Sequence, residues 1–515
     1  MKSVKIAFTV LVLAIWGIAG CEREIISRSS EFEALNPANA DSGARFWKPV
    51  LLASPDEFPV ANPIAVTSAD YKLEMLEIKS WQNKMTQAER DQMNYWSAGV
   101  VLRWNEIMRE LVAKYNLPPY QNEDGTYPIP NSANPLAYPF FPFSNPPYAA
   151  RAYAYLSVAQ YDALVASSHY KATFKRARPA VTDATIKQLI PATSDFAYPC
   201  DEAVAAGASA AILTLMFPGE QDFIQQKLTE CKNYRIMAGV NVRSDVDAGV
   251  ALGKSVASKF IARARTDRAG KAVGTPADWA NLEAKCAATG ETPWISQESP
   301  KRPPMLPLFG KTLGFLLDTN MVVASRPAGP PSTKSEQFKK ELDEVLWYSE
   351  HPTRERMRIT HFWGDGVATY TPPGHWNAIA CEDFVKLRYS EVRWARNLAL
   401  LNMSMFDAAI CCWDTKYTYF NPRPSQVNSK IKTLTGLPNF PAFSSGHSTF
   451  SGAASIILGH INPGRANDYD AMAKEASLSR LYGAIHYRSD IEVGMQMGQN
   501  IGLKAIERAK TDGAE

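Results

Sequence analysis

RNLALLNMSMFDAAICCW, residues 396–413, is apolar or small at nearly every position. A surface helix shows one apolar stripe, whereas a run apolar on all sides belongs inside a bundle. RAYAYLSVAQYDALV, residues 151–165, reads the same way and begins 245 positions earlier. The pair belongs to a longer register. Shifted by 245 without a gap, Arg151 falls on Arg396, Asp162-Ala163 on Asp407-Ala408, Lys171 on Lys416 and Arg178-Pro179 on Arg423-Pro424. Gly207-Ala208 falls on Gly452-Ala453, Pro218-Gly219 on Pro463-Gly464, Arg235 on Arg480 and Arg243-Ser244-Asp245 on Arg488-Ser489-Asp490. Ile261 and Arg263-Ala264 fall on Ile506 and Arg508-Ala509. Chance likeness of Ala-rich helices does not hold a constant offset through charged, Pro and Gly positions. The expected fold is all-α: two tandem helical bundles related by a pseudo-twofold. Gly452–His460 and Val493–Ala509 read as further helices. With no alternating Val/Thr runs or Asn-Gly hairpins, little sheet is expected.

The rest of the chain bounds the problem. At 515 residues with a formal charge of +3, it can bury a large core, and its charge gives no case for a nucleic-acid partner. MKSVK, an apolar run from Ile6 to Ile18, and Ala19-Gly20-Cys21 look like a bacterial lipoprotein signal with lipid on Cys21. The apolar run is too short for a membrane span of about 20 residues. An exported lipoprotein is expected, in the periplasm or at the outer membrane or cell surface. The expected division is a signal at 1–20, a tether at 21–45, an N-terminal bundle at 46–265, a Pro-rich linker at 266–335 and a C-terminal bundle at 336–515. A second Pro-rich stretch, Leu117–Pro147, carries Tyr and Phe and reads as an ordered loop packed on the bundle. Cys200, Cys231, Cys286, Cys381, Cys411 and Cys412 lack zinc-type spacing, and Cys411-Cys412 reads as buried free thiols.

The copies differ where chemistry would sit. Ser445-Gly446-His447 lands on Cys200-Asp201-Glu202, His486 on Asn241, Phe440 on Asp195 and Trp413 on Ser168. The first copy keeps Lys171, Arg178 and Arg235, which could pair with Asp195, Asp201 or Glu202. Any chemistry therefore belongs to the second copy. There Lys416 ends a helix, and Pro422 and Pro424 put Arg423 on extended chain. Gly483 could break the helix between Arg480 and His486. Asp490, four residues after His486, could share its face and fix its tautomer. Lys416, Arg423 and Arg480 would repel one another if they met without an anion. With the Ser445 hydroxyl and the Gly446 N–H at a helix start, they ask for a tetrahedral oxyanion. His486 could attack or ligate its central atom, and His447 could move protons.

The blocks K-x6-R-P, SGH and S-R-x5-H-x3-D, at Lys416–Pro424, Ser445–His447 and Ser479–Asp490, resemble the signature of the type 2 phosphatidic acid phosphatase and vanadium haloperoxidase superfamily. WDTKYTYFNPRP, FPAFSSGH and HFWGDGVATYTPPGHWN look most like the chloroperoxidase type. The resemblance implies vanadate as cofactor, with equatorial oxygens held by Lys416, Arg423, Arg480, Ser445 and Gly446, and His486 as axial ligand. It further implies His447 assisting peroxide deprotonation, Trp413 and Phe440 on the halide side, and Asp365 paired with Arg480. The substrates would be hydrogen peroxide and halide. One departure is Ser444, where the family usually has Pro. The alternative is a phosphatase acting on phosphate esters without vanadate, with His486 as nucleophile and His447 protonating the leaving group.

Overall fold

The computed structural model describes residues 32–117, 123, 145–191, 196–299 and 301–515. Cys21, the signal and much of the tether lie outside the described residues, as do Asp195 and most of the first Pro-rich stretch. Among the described residues there are helices and no strand. Ala34–Glu515 form one compact unit.

Three helices lead in: α1 (Ala69–Lys84), α2 (Gln87–Ser97) and α3 (Val100–Tyr115). The first bundle follows with α4 (Pro146–Phe174), α5 (Asp201–Met216), α6 (Gln221–Met237) and α7 (Arg243–Thr266). After α8 (Pro276–Ala288) come α9 (Glu336–Glu350), α10 (Arg354–Phe362) and α11 (Thr371–Leu387). The second bundle is α12 (Glu391–Tyr419), α13 (Gly446–Ile461), α14 (Ala466–Tyr482) and α15 (Arg488–Ala509). The starts of α4 to α7 and of α12 to α15 differ by 245 throughout, and the one-turn helices Pro179–Thr182 and Pro424–Val427 keep the same offset.

Local chemistry sets these limits. Asn145 caps α4 and Ser390 caps α12, each accepting from a backbone N–H three residues on. Lys175 and Phe420 end them in the left-handed conformation, with φ of 50° and 52°. The two 29-residue helices pack on each other at the centre. There Asn402 Nδ2 donates to Ser157 Oγ at 2.9 Å, a contact between positions 245 apart. Leu401, Phe406 and Ile410 of α12 are fully buried, each contributing about 2 kcal/mol.

Glycine sets the closest approach. A Cβ at Gly498 of α15 would lie 2.1 Å from the Thr449 carbonyl of α13, and one at Gly253 of α7 would lie 2.0 Å from the Val204 carbonyl of α5. Backbone therefore meets backbone in both helix pairs, and any larger residue would push them apart.

The chain from 301 to 335 is tied to the second bundle by hydrogen bonds. Asp407 accepts from the N–H groups of Phe315, Leu316 and Leu317 at 2.9, 2.8 and 2.6 Å. Asp162 accepts in the same way from Val50, Leu51 and Leu52. Trp294 N donates to the Phe420 carbonyl and Met305 N to that of Asn439, tying both residues to the second bundle. The six cysteines at 200, 231, 286, 381, 411 and 412 are buried and free. No described helix is long and apolar enough to cross a membrane.

Candidate active site

The start of α13 places three of the expected residues. Ser445 is its N-cap and accepts from Ser448 N at 3.4 Å, leaving its hydroxyl proton to donate elsewhere. Gly446 and His447 open the helix, where backbone N–H groups have no intrahelical acceptor. The Phe443–Ser444 peptide is cis, as is Tyr198–Pro199 at the matching position of the first copy. Ser444 thus keeps the backbone form that its proline counterpart has.

The cations come from three elements. Lys416, in the last turn of α12, is fully buried, and its Nζ donates to the carbonyls of Pro441 and Ala442 at 2.9 and 3.0 Å and to that of Ser444. Arg423 lies on extended chain, with φ −75° and ψ 151°, and donates from Nε to the Phe440 carbonyl and from Nη1 to that of Ile485. Arg480, near the end of α14, donates to Ser479 Oγ and to the carbonyls of Thr360 and Trp363. Among the described residues no carboxylate lies within ion-pair distance of these three cations. Burial pushes both guanidinium groups down to about 10 and pushes the Lys416 ammonium down as well.

His486 sits among them. Its Nδ1 faces Asp490 Oδ2 at 2.8 Å and its Nε2 faces Arg423 Nη1 at 3.1 Å. Asp490 thereby holds the proton on Nδ1, and the Nε2 lone pair points toward the cations. The link differs from the expected shared helix face. Tyr487 is the N-cap of α15, and Asp490 reaches back over the helix start, also accepting from Tyr487 N at 3.0 Å. The break after Arg480 is present, but Gly483 keeps a right-handed φ, and Ala484 takes the positive one, at 56°. Burial first, then the charges of Arg423, Lys416 and Arg480, hold the His486 imidazole well below its ordinary range. Burial and Arg480 do the same to His447.

Asp365 is placed differently from the resemblance. Its Oδ1 meets His375 Nδ1 at 3.0 Å and its Oδ2 lies 3.7 Å from His447 Nε2, rather than pairing with Arg480. Carbonyls of α10 and Trp363 already fill the Arg480 fork on that side, and Asp365 acts on it only through space. His375 was missed from the sequence, although it lies inside the quoted HFWGDGVATYTPPGHWN. A spacing of ten residues has no helical meaning, and Asp365, Ala368 and Thr371 all have positive φ, at 44°, 61° and 65°.

A cavity of about 590 Å³ opens onto this cluster. Gly446, His447, Arg480, His486, Asp365, Trp413 and Phe440 line it, with Lys416, Arg423 and Ser445 one layer deeper. The Trp413 and Phe440 rings lie 5.1 Å apart, and Lys416 Nζ stands 4.9 Å from the Phe440 ring centre. Arg423 Nη2 and His447 Nε2 are buried with no hydrogen-bond partner. Unsatisfied buried donors and unpaired buried cations are costly, so the residues fit a multi-oxygen anion such as vanadate or phosphate.

The first copy satisfies its own cations. Lys171 pairs with Asp201 at 2.8 Å and Arg235 with Glu202 at 2.7 Å, beside a cavity of about 230 Å³.

Residues 397–506 match the family model described as PAP2 superfamily. No curated protein matches the sequence. The crystal structure of the first bacterial vanadium-dependent iodoperoxidase is similar at 24% identity and TM-score 0.55, over 70% of this chain and 91% of that one. Holo-type bacterial vanadium-dependent chloroperoxidase is similar at 13% identity and TM-score 0.51, over 75% of this chain and 97% of that one. The apo-type enzyme is similar at 13% identity and TM-score 0.50, over 71% and 94%. The all-α fold is thus that of vanadium haloperoxidases, and the superfamily resemblance read from the sequence is borne out.

Proposed function

We infer that this protein is a vanadate-dependent haloperoxidase, converting hydrogen peroxide, halide and a proton into hypohalous acid and water. The observation that carries the reading is a set of three buried cations with no carboxylate partner among the described residues, beside an imidazole whose Nε2 meets one of them, Arg423, at 3.1 Å. Lys416, Arg423 and Arg480 would balance the charge of the bound vanadate. The Ser445 hydroxyl and Gly446 N–H would donate to its oxygens, and His486 Nε2 would ligate it. Bound vanadate supplies a centre that activates peroxide toward halide. His447, neutral and with Nε2 unpartnered at the cavity wall, takes the proton that peroxide gives up. Trp413 and Phe440 offer halide a weakly hydrated, polarisable wall.

One observation favours a second reading. The cavity is larger than peroxide and halide require, and it could hold the leaving group of a phosphate ester. In that phosphatase His486 Nε2 attacks phosphorus and His447 protonates the departing oxygen. A paired assay separates the two: peroxide-dependent halogenation after adding orthovanadate, and phosphate-ester hydrolysis by vanadate-free protein. Vanadate that inhibits hydrolysis yet supports no halide oxidation ends the haloperoxidase reading. Lipid attachment at Cys21 remains part of the proposal, and Cys21→Ser should move the protein out of the detergent-rich phase on Triton X-114 partition.

A further inference from the structure

His375 belongs to neither the oxyanion cradle nor the halide wall, yet it is buried and specifically engaged. Its ring stacks on Trp363, with centroids 4.6 Å apart at 29°, and Phe362 meets it edge-on at 5.1 Å. Held there, Nδ1 meets Asp365 Oδ1 at 3.0 Å. The other carboxylate oxygen, Oδ2, has no hydrogen-bond partner, and His447 Nε2, 3.7 Å away, has none either. That gap is too wide for a hydrogen bond and narrow enough to close once a proton sits between the two atoms. Three non-glycine residues of positive φ shape the loop from Asp365 to Thr371, so the carboxylate is not held by its own backbone preference.

We propose that His375 is a positioning residue, which fixes Asp365 so that its free oxygen faces the proton-accepting nitrogen of His447. The chain is His375 Nδ1, Asp365 Oδ1, Asp365 Oδ2, His447 Nε2. When His447 takes a proton at Nε2, a carboxylate oxygen already stands 3.7 Å away, and closing that gap is the only movement needed to pair the new charge. Only that N–H bond forms, at the expense of the donor's O–H bond. Without His375, the Asp365 carboxylate, only 6% exposed, would have neither oxygen satisfied, and it would turn away or take up a proton itself.

The proposal rests on His447 as proton carrier, which halide oxidation and ester hydrolysis share. The turnover number is therefore measured on whichever reaction the wild type performs. A wild type that only hydrolyses esters removes the haloperoxidase reading and leaves this one standing. His375→Phe keeps the stack on Trp363 and removes the ring nitrogens; His375→Gln restores a donor. His375→Phe should lower kcat tenfold to a hundredfold. KM and the dissociation constant for orthovanadate, read by calorimetry on the protein without peroxide, should stay within about threefold. His375→Gln should recover most of the loss. Asp365→Asn should reproduce it, and the double variant should be no worse than Asp365→Asn alone. A crystal structure of His375→Phe should show the carboxylate withdrawn from His447. Wild-type kcat in His375→Phe overturns the proposal, as does vanadate affinity falling in step with kcat, or losses that multiply in the double variant. Should His375→Phe not fold, Asp365→Asn decides, since wild-type kcat there is equally fatal.

Discussion

The two bundles hold the same three cations on the same elements and neutralise them in opposite ways. In the first, Asp201 and Glu202 at the start of α5 reach Lys171 and Arg235 at 2.8 and 2.7 Å. In the second, the matching positions are Gly446 and His447, and the cations donate to carbonyls, a hydroxyl and an imidazole. The first copy carries its anion in its own sequence and is complete on folding. On the proposed reading, the second is complete only when an anion arrives from outside. Two acidic side chains, present in one copy and absent from the other, then separate a self-neutralised cluster from one that takes an anion.

Exchanging residues between the copies tests this. His486→Asn installs what the first copy has at Asn241. It should remove turnover by at least about 10³-fold in a single-turnover assay, since no nucleophile or axial ligand is left. Undiminished turnover would mean that the copies differ for another reason. The double substitution Gly446→Asp with His447→Glu should weaken orthovanadate binding at least about a hundredfold by calorimetry, since each pH-matched carboxylate competes for a cation. A Cβ at Gly446 meets nothing closer than 3.8 Å, so the backbone should tolerate the change. In the other direction, Glu202→Gln leaves Arg235 buried without its carboxylate and should cost about 3 kcal/mol in urea unfolding. A negligible cost would show that the built-in anion is dispensable.

The smallest effect is on pH dependence. His486 is held neutral in the folded chain, its pKa well below the ordinary 6.5, and the unfolded chain restores the ordinary value. Below about pH 6.5 the unfolded state therefore binds a proton that the folded state refuses. Stability is full above that pH and falls as pH drops, by about 1.4 kcal/mol per unit for this group. His486→Asn should flatten the decline in urea midpoint between pH 6.5 and 5 by about one proton. Asn241 in the first copy contributes no such slope.

The constant offset made the bundles legible because charged, Pro and Gly positions lie in register; it matched Lys416, Arg423 and Arg480 to cations of the first copy and marked Ser445 and His486 as positions where the copies differ. Charge alone suggested Asp195, Asp201 or Glu202 as partners for Lys171, Arg178 and Arg235 without assigning pairs; the structure pairs Lys171 with Asp201 and Arg235 with Glu202, and Asp195 lies outside the described residues. Geometry set by caps and loops was less visible. The separation of His486 and Asp490 suggested a helix face, yet the contact spans a helix start, where an acid at the third position folds back. Asp365 was assigned to Arg480 by analogy, and its true neighbour stands across a loop whose positive-φ residues are not glycines. Hydrophobic period and turn composition carry no record of such a loop. The start of α13 was legible: Ser445 is its N-cap and Gly446 opens it, as the Ser-Gly-His turn suggested.

The glycine contacts between α13 and α15 bear on selectivity. Ser445 N is bonded to the Asp490 carbonyl, and a Cβ at Gly494 would fall 2.8 Å from the Ser445 carbonyl, so the donors on one helix and the imidazole at the head of the other are locked at contact distance. On the proposed reading, the receptacle for the anion is cast when the chain folds. Flat three-oxygen ions such as nitrate or carbonate should then leave part of the cast unfilled, with discrimination among oxyanions settled before any of them arrives.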